Sequence, residues 1–321
     1  MAELTKTRQK HYLLNASVIV AALGYFVDIY DLVLFSIVRI PSLQDLGVTD
    51  QAQLLEQGVM LLNMQMAGML IGGVAWGILG DKRGRLSVLF GSIFLYSVAN
   101  LLNGFVNDIP MYAFLRLVAG IGLAGELGAG ITLVSEVLPK EKRGYGTMVV
   151  ATIGISGAIL AGLVGEYFGW RTAYFIGGGL GLLLLFLRVG VYESGMFDNL
   201  KKTQDVTRGN FLSLFTNLSR FWKYLKCILI GVPIWYVVGI LITFSPEFGI
   251  ALGMQETVSA AKAVSFCYLG LVFGDFASGY LSQRFKSRRY IVVAFLVLTA
   301  VFIAVYLLGY AFSLNAFYTL C

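Results

Sequence analysis

Polar and apolar positions along this chain are sorted into long blocks and do not alternate residue by residue. Apolar runs recur near 13–38, 57–80, 87–106, 110–138, 145–168, 170–192, 222–246, 258–282 and 290–312. Each is close to the length of about 20 residues at which a helix crosses a hydrocarbon core. Nine membrane-spanning helices are therefore expected. The first run is too long for a signal-peptide core and lacks a small-residue cleavage site, so it is read as a span that stays. The longest polar interval, 193–221, separates six runs from the three that follow. It divides the chain into an N-terminal six-helix bundle (1–192), a cytoplasmic linker (193–221) and part of a second bundle (222–321). An odd number of spans leaves the two ends of the chain on opposite faces, a poor match to a plan of two equal bundles.

Composition sharpens the class. Of 321 residues, 58% are hydrophobic and 13% charged, with a mean hydropathy of +0.78. A soluble domain is about one quarter charged, so the expectation is an all-α membrane protein embedded in a lipid bilayer. The 38 glycines suit close helix packing in lipid. The net charge of +6 raises the thought of nucleic acid, but the basic residues sit in short loops between spans and act as topology signals, so no nucleic-acid partner is expected. Of the 24 Lys and Arg, all but Arg39, Arg116, Arg171 and Lys262 fall on one side, Arg188 among them. The positive-inside rule then makes that side, and the N-terminus, cytoplasmic in an inner or plasma membrane. Cys227, Cys267 and Cys321 form no CxxC pair, and His11 is the lone histidine, so no metal site and no cofactor is expected.

Charges inside the spans are the candidate chemistry. The stretch GYFVDIYDLVLF places Asp28 and Asp31 in the first run. Each costs about 3 kcal/mol at a helix centre on the insertion scale, a penalty retained only for a reason. At 1.5 Å per residue, Asp31 lies about 10 Å from the end of its span and Arg116 about 9 Å from the end of the fourth, so the two are expected to share a level and pair. Asp28 shares a helix face with Asp31. Glu126 lies about 15 Å further along the fourth span. A fixed ion pair and a proton-coupling site are both open at this point. Weaker cavity candidates are Asn63 and Gln65 in the second span and Trp235 and Tyr236 in the seventh; for any one of them core packing is the plainer reading. Asp275, near the basic end of the eighth span, is expected to partner the nearby basic loop. The ladders Gly154–Ala158–Gly162 and Gly157–Ala161–Gly165 are spaced for tight helix crossing.

The loop GILGDKRGRLSVL, Gly77 to Leu89, carries the pattern Gly-x-Leu-x-Asp-x-x-Gly-Arg. It resembles the signature loop of the major facilitator superfamily, with Gly80 in place of Ala and Leu86 in place of the second basic residue. A worn copy, Gly279-Tyr-Leu-Ser-Gln-Arg284-Phe-Lys286, lies one bundle later with Gln283 in place of Asp. The span from Arg116 to Gly144 is similar to the family's Arg-x-x-x-Gly-x-Gly helix with its Glu-x-x-Pro and Arg-Gly exit. Asp28-x-x-Asp31 resembles the Asp-Gly-Phe-Asp of aromatic-acid:proton symporters, and Glu193-Ser194 the linker start of sugar porters. The resemblance implies a twelve-helix transporter, against which this chain is expected to lack the last three helices. It implies proton-coupling roles for Asp31 and Arg116, with Asp28 and Glu126 as substrate-facing or secondary proton sites. It also implies a cytoplasmic gating motif of Gly77, Asp81, Arg83, Gly84, Arg85, Glu136, Arg143 and Arg284.

Span five has no Gly-Pro-x-x-Gly-Gly run, which tilts against drug efflux, and span seven has no paired glutamines, which tilts against a sugar. The expected function is proton symport of a small organic solute, a carboxylate or similar metabolite, by alternating access. A sugar or drug transporter, a receptor-like relative and a truncated member stay open. An enzyme is not expected, since no intramembrane Ser/His or metal-ligand cluster is present.

Overall fold

The computed structural model describes residues 16–83, 85–137, 143–193, 211 and 215–321. Regular structure among them is helical throughout, as the block pattern predicts. In chain order the helices are α1 (Ala16–Asp45), α2 (Gln51–Arg83), α3 (Arg85–Asn103), α4 (Ile109–Val137), α5 (Arg143–Ile155), α6 (Gly157–Tyr167) and α7 (Trp170–Glu193). After the linker come α8 (Leu218–Tyr236), a π-helical turn (Val237–Ile242), α9 (Ser245–Ala251), α10 (Ala260–Arg284), α11 (Arg288–Leu308) and α12 (Leu314–Leu320). Among the described residues eight helices are long and apolar enough to cross a membrane, and α3 adds a shorter apolar segment, Val88–Asn103. Most of the 193–221 interval lies outside the described residues.

Two of the spans are broken, for local reasons. Ser156 interrupts the fifth, its hydroxyl donating to the Ile153 carbonyl at 2.6 Å instead of facing solvent. The seventh carries Pro233, which has no N–H to give to the preceding turn. Below it the backbone loosens into the π-turn, where the Thr243 N–H and hydroxyl both reach back to the Val238 carbonyl, at 3.3 and 2.9 Å. Pro246 then starts α9 at a position that needs no N–H.

Packing runs through small residues. α2 and α4 cross so closely that a Cβ at Gly72 would lie 2.8 Å from the Ile121 Cα, and one at Gly120 3.1 Å from the Met69 amide nitrogen. The glycine ladders of the fifth span do what their spacing predicts: Gly157 meets the Phe26 backbone of α1, and Gly162 meets Ala261 and Ser265 of α10. This broken span is thus wedged between the first helix of one bundle and the second long helix of the other. α1 is the hub, packed by α4, α5, α6 and α7. By contrast α11 leaves almost all of its apolar surface uncovered by protein.

Candidate functional site

The buried charges gather in the first bundle around α1. Asp28 and Asp31, three residues apart on one face, are 4% and 1% exposed. Arg116 and Glu126 approach from α4, Gln65 from α2, and Tyr174 and Arg188 from α7, all buried. Two centres form, one at each end of the acid pair.

The first is built on Arg116. Its guanidinium donates to the Gln65 side-chain oxygen and, at 3.4 Å, to the Tyr174 hydroxyl, and it lies 4.5 Å from the centre of the Phe35 ring. Tyr174 in turn shares a 2.7 Å hydrogen bond with Tyr112, which reaches Ser42 at 3.3 Å. Gln65 is close enough because the glycine contact between α2 and α4 brings the Gln65 backbone against Gly120. The expected direct pair between Asp31 and Arg116 is therefore not made in this structure. The Arg116 charge acts on Asp31 through space, and the arginine satisfies itself on Gln65 and Tyr174.

The second centre is a buried ion pair. Arg188 Nη1 donates to Glu126 Oε2 at 2.9 Å, and Nη2 donates to Oε1, the parallel two-bond geometry that suits a guanidinium to a carboxylate. Gly24 makes the room: a Cβ there would sit 2.7 Å from Glu126 Oε1 and collide with the guanidinium. Its place in the sequence groups Arg188 with the basic loops, whereas the structure buries it. Its position in the run LLLLFLRVGVY, with apolar residues on both sides, was the available signal.

Between the two centres stand Asp28 and Asp31. All four of their oxygens are buried with no hydrogen-bond partner in the protein. Asp28 lies in the field of Glu126, Arg188 and Asp31, with Tyr96 beside it; Asp31 has Arg116 and Asn100 beside it. The cluster holds three acids, Asp28, Asp31 and Glu126, against two bases, Arg116 and Arg188. With all ionised it carries one excess negative charge in a site shut from bulk water, and a single proton neutralises it.

The other sequence candidates lie elsewhere. Asn63, Trp235 and Tyr236 are on protein-free faces of α2 and α8, away from the cluster. Gly77, Asp81 and Arg83 are exposed at the end of α2, and Arg284 is exposed in the last turn of α10. Gly84 lies outside the described residues, as do the side chains of Arg85, Glu136 and Arg143. Asp275, half-buried on α10, acts electrostatically on Tyr25 of α1, so it looks across to the first bundle, and no ion pair with its own basic loop is seen among the described residues. No group of three His, Cys, Asp or Glu able to hold a metal occurs among the described residues.

On the face opposite the basic loops, the bundles are tied together. The buried Arg39 of α1 meets Glu247 of α9 at 2.5 Å and lies 4.6 Å from the Phe244 ring centre. Ser36 and Thr243 hydroxyls share a 3.1 Å bond, and Glu166 of α6 accepts from Ser259 at 3.1 Å beside Lys262 at 3.6 Å.

Helices of membrane-crossing length, close glycine crossings and a charged cluster sealed inside the first bundle define a multi-pass membrane protein. The chain belongs to the Major Facilitator Superfamily, whose family model matches residues 21–321. It is 28% identical over 281 residues to the sialic acid transporter NanX of Escherichia coli, covering 85% of this chain and 66% of that protein. It is 24% identical over 310 residues to the putative niacin/nicotinamide transporter NiaP of Bacillus subtilis, covering 94% and 74%. Its fold is like that of the proton:xylose symporter XylE bound to 6-bromo-6-deoxy-D-glucose, with a TM-score of 0.65 at 14% identity, over 86% of this chain and 70% of that one. The chain thus spans about two thirds of the length of curated relatives it matches. The family is one of transporters and not of enzymes.

Proposed function

We propose that this chain acts in proton-coupled symport, importing a small organic carboxylate or similar metabolite by alternating access. It would sit in the inner or plasma membrane with its N-terminus and basic loops cytoplasmic. One observation carries the reading: two carboxylates on α1 are buried with only neutral donors, Tyr96 and Asn100, beside them, next to an arginine that has other partners. A permanently ionised structural acid would be paired; an acid that must gain and lose a proton is better left between partners.

In this mechanism a proton from outside neutralises Asp31, or Asp28 beside it, and the cluster loses its excess charge. An anionic solute then approaches Arg116 without facing net repulsion. The bundles rock about the midplane, and proton and solute leave on the inner side. Gln65 and Glu126 belong to this centre by geometry, Gln65 by holding Arg116 and Glu126 by holding Arg188. Trp235, Tyr236 and Asn63 would line the solute's path. Gly77, Asp81, Arg83, Gly84, Arg85, Glu136, Arg143 and Arg284 would latch the inner face. The solute class takes support from the relative named for sialic acid, a carboxylic acid, and in part from the one named for niacin, a carboxylic acid, and nicotinamide, its neutral amide.

The test is uptake of a panel of carboxylic acids into cells making the full-length protein, with and without a protonophore. Concentrative uptake of one member, abolished by the protonophore, is the expected result. Uptake that follows only the solute's own gradient overturns proton coupling.

A further inference from the structure

The face that α3 turns inward is polar where its neighbours are apolar. Tyr96, Ser97, Asn100 and Asn103 recur at helical spacing and are all buried. The Tyr96 hydroxyl, the Ser97 hydroxyl, the Asn100 amide nitrogen and both amide atoms of Asn103 have no hydrogen-bond partner in the protein. Opposite them on α1 stand the four unpartnered oxygens of Asp28 and Asp31, with Tyr96 beside Asp28 and Asn100 beside Asp31.

This seam has walls and a floor. α4 and α7 pack on both α1 and α3 and close its sides. α7 meets it with Gly177, Gly178 and Gly181: a Cβ at Gly178 would fall 2.8 Å from the Ser97 carbonyl, and one at Gly181 3.0 Å from the Tyr96 ring. Those glycines bring the α7 backbone against Asp31, Ser97 and Tyr96, with the Ser97 hydroxyl nearest Gly181. Toward the basic face it is floored by Val27, Ile93, Leu123 and Leu184, one apolar cluster with the Tyr96 ring. At the opposite face it ends at Asn103, just beneath the Val106 carbonyl, which accepts from Arg171 at 2.8 Å; Arg171 also holds the exposed Asp45 at 3.0 Å.

Direct pairing of Tyr96 with Asp28 and of Asn100 with Asp31 would still leave Ser97 and both atoms of Asn103 unmet. Buried polar atoms in lipid are satisfied by protein or by ordered water, and a buried water makes about three hydrogen bonds. From Tyr96 to Asn103 is about 10 Å along the helix, the length of a file of three or four waters at ordinary hydrogen-bond spacing.

We propose that the seam between α1 and α3 binds a file of water molecules that runs from Asn103 to Asp31 and Asp28, and that this file, separate from the solute's path between the bundles, is the proton's route to the acids. The water-binding half stands on geometry alone; the proton half rests on the reading under Proposed function. The charged groups facing the route are Asp28 and Asp31 from α1, Arg116 and Glu126 from α4 and Arg188 from α7. The apolar floor keeps a proton that enters this way from passing straight through to the basic face.

Hydroxyl-radical footprinting by X-ray radiolysis of the full-length protein tests the file, because radicals form on bound water. Tyr96 and Tyr30 are equally buried, but the Tyr30 hydroxyl is satisfied by the Ala173 carbonyl at 2.9 Å. Tyr96 should be modified severalfold faster than Tyr30, and the excess should vanish in an Asn100→Leu/Asn103→Leu variant. The same variant should lower the ratio of proton-driven uptake to solute counterflow severalfold, with Asn103→Ser restoring it. Equal modification of the two tyrosines overturns the water file. Fast modification of Tyr96 with an unchanged uptake ratio in the leucine variant overturns the route. Uptake by the unaltered protein that ignores a protonophore overturns the proton reading itself, and it declares itself before any substitution is made.

Discussion

At the scale of single residues, the charges of the first bundle differ in how replaceable they are. Asp31 has no direct ion pair to lose, so Asp31→Asn should fold normally, abolish proton-driven uptake and retain solute counterflow; loss of neither activity removes Asp31 from coupling. Arg188 and Glu126 are the opposite case. Removing one half of a buried pair leaves an uncompensated charge and costs about 3–5 kcal/mol, whereas replacing both with neutral groups costs much less. Arg188→Gln should therefore lower the melting temperature in detergent sharply, and Glu126→Gln on that background should recover most of it. Failure of the second change to rescue the first would mean that the pair does not act as a unit. Asp28, Asp31 and Arg116 were legible in the sequence because a charge in an apolar run announces itself. The partners were not. Gln65 reaches Arg116 only because two glycines let α2 and α4 touch, and Arg188 sits close enough to the linker to pass for a loop charge.

At the scale of helices, the block pattern located the spans, and the glycine ladders of the fifth span marked where it touches its neighbours. What spacing could not separate is a glycine in contact from one that faces open space. Gly72 and Gly73 are neighbours in α2, yet a Cβ at Gly72 runs into the Ile121 backbone while one at Gly73 meets nothing within 4 Å. Gly72→Ala should destabilise the protein by about 1–3 kcal/mol, the range for overpacking a close contact. Gly73→Ala should be neutral or stabilise by up to about 1 kcal/mol, since alanine is the better helix former. Thermal unfolding of the two variants side by side checks this, and equal effects would mean that α2 and α4 do not cross as described. The break in the seventh span was equally out of reach. Pro233 sits within an unbroken apolar run, and the π-turn that follows depends on Thr243 reaching back to Val238.

At the scale of the whole molecule, the two bundles are held together on the face opposite the basic loops, and the strength of that closure resides in one ion pair. Lys262–Glu166 is largely solvent-exposed, where such a pair contributes at most about 1 kcal/mol. Arg39–Glu247 is different, because the arginine is fully buried and the glutamate mostly so. Opening this face, as the proposed alternating access requires, must separate Arg39 of α1 from Glu247 of α9. Closure therefore has a free energy that the open state lacks, and Glu247→Gln removes part of it by leaving the buried guanidinium with a neutral partner. Each 1.4 kcal/mol lost from the closed state raises the open population about tenfold relative to it, and the solute's affinity then follows whichever state binds it. A cysteine placed at Ser36, beside the Thr243 contact, reports the opening: labelling by a membrane-impermeant thiol reagent from outside should be faster on the Glu247→Gln background than with Glu247 intact. Asp81→Ala, at the other face, should shift labelling toward the inner cavity. Were Glu247→Gln to leave labelling at position 36 unchanged, the contact would be a product of packing and not a latch, and the outer closure would have to rest on the Ser36–Thr243 bond and the apolar surfaces around it.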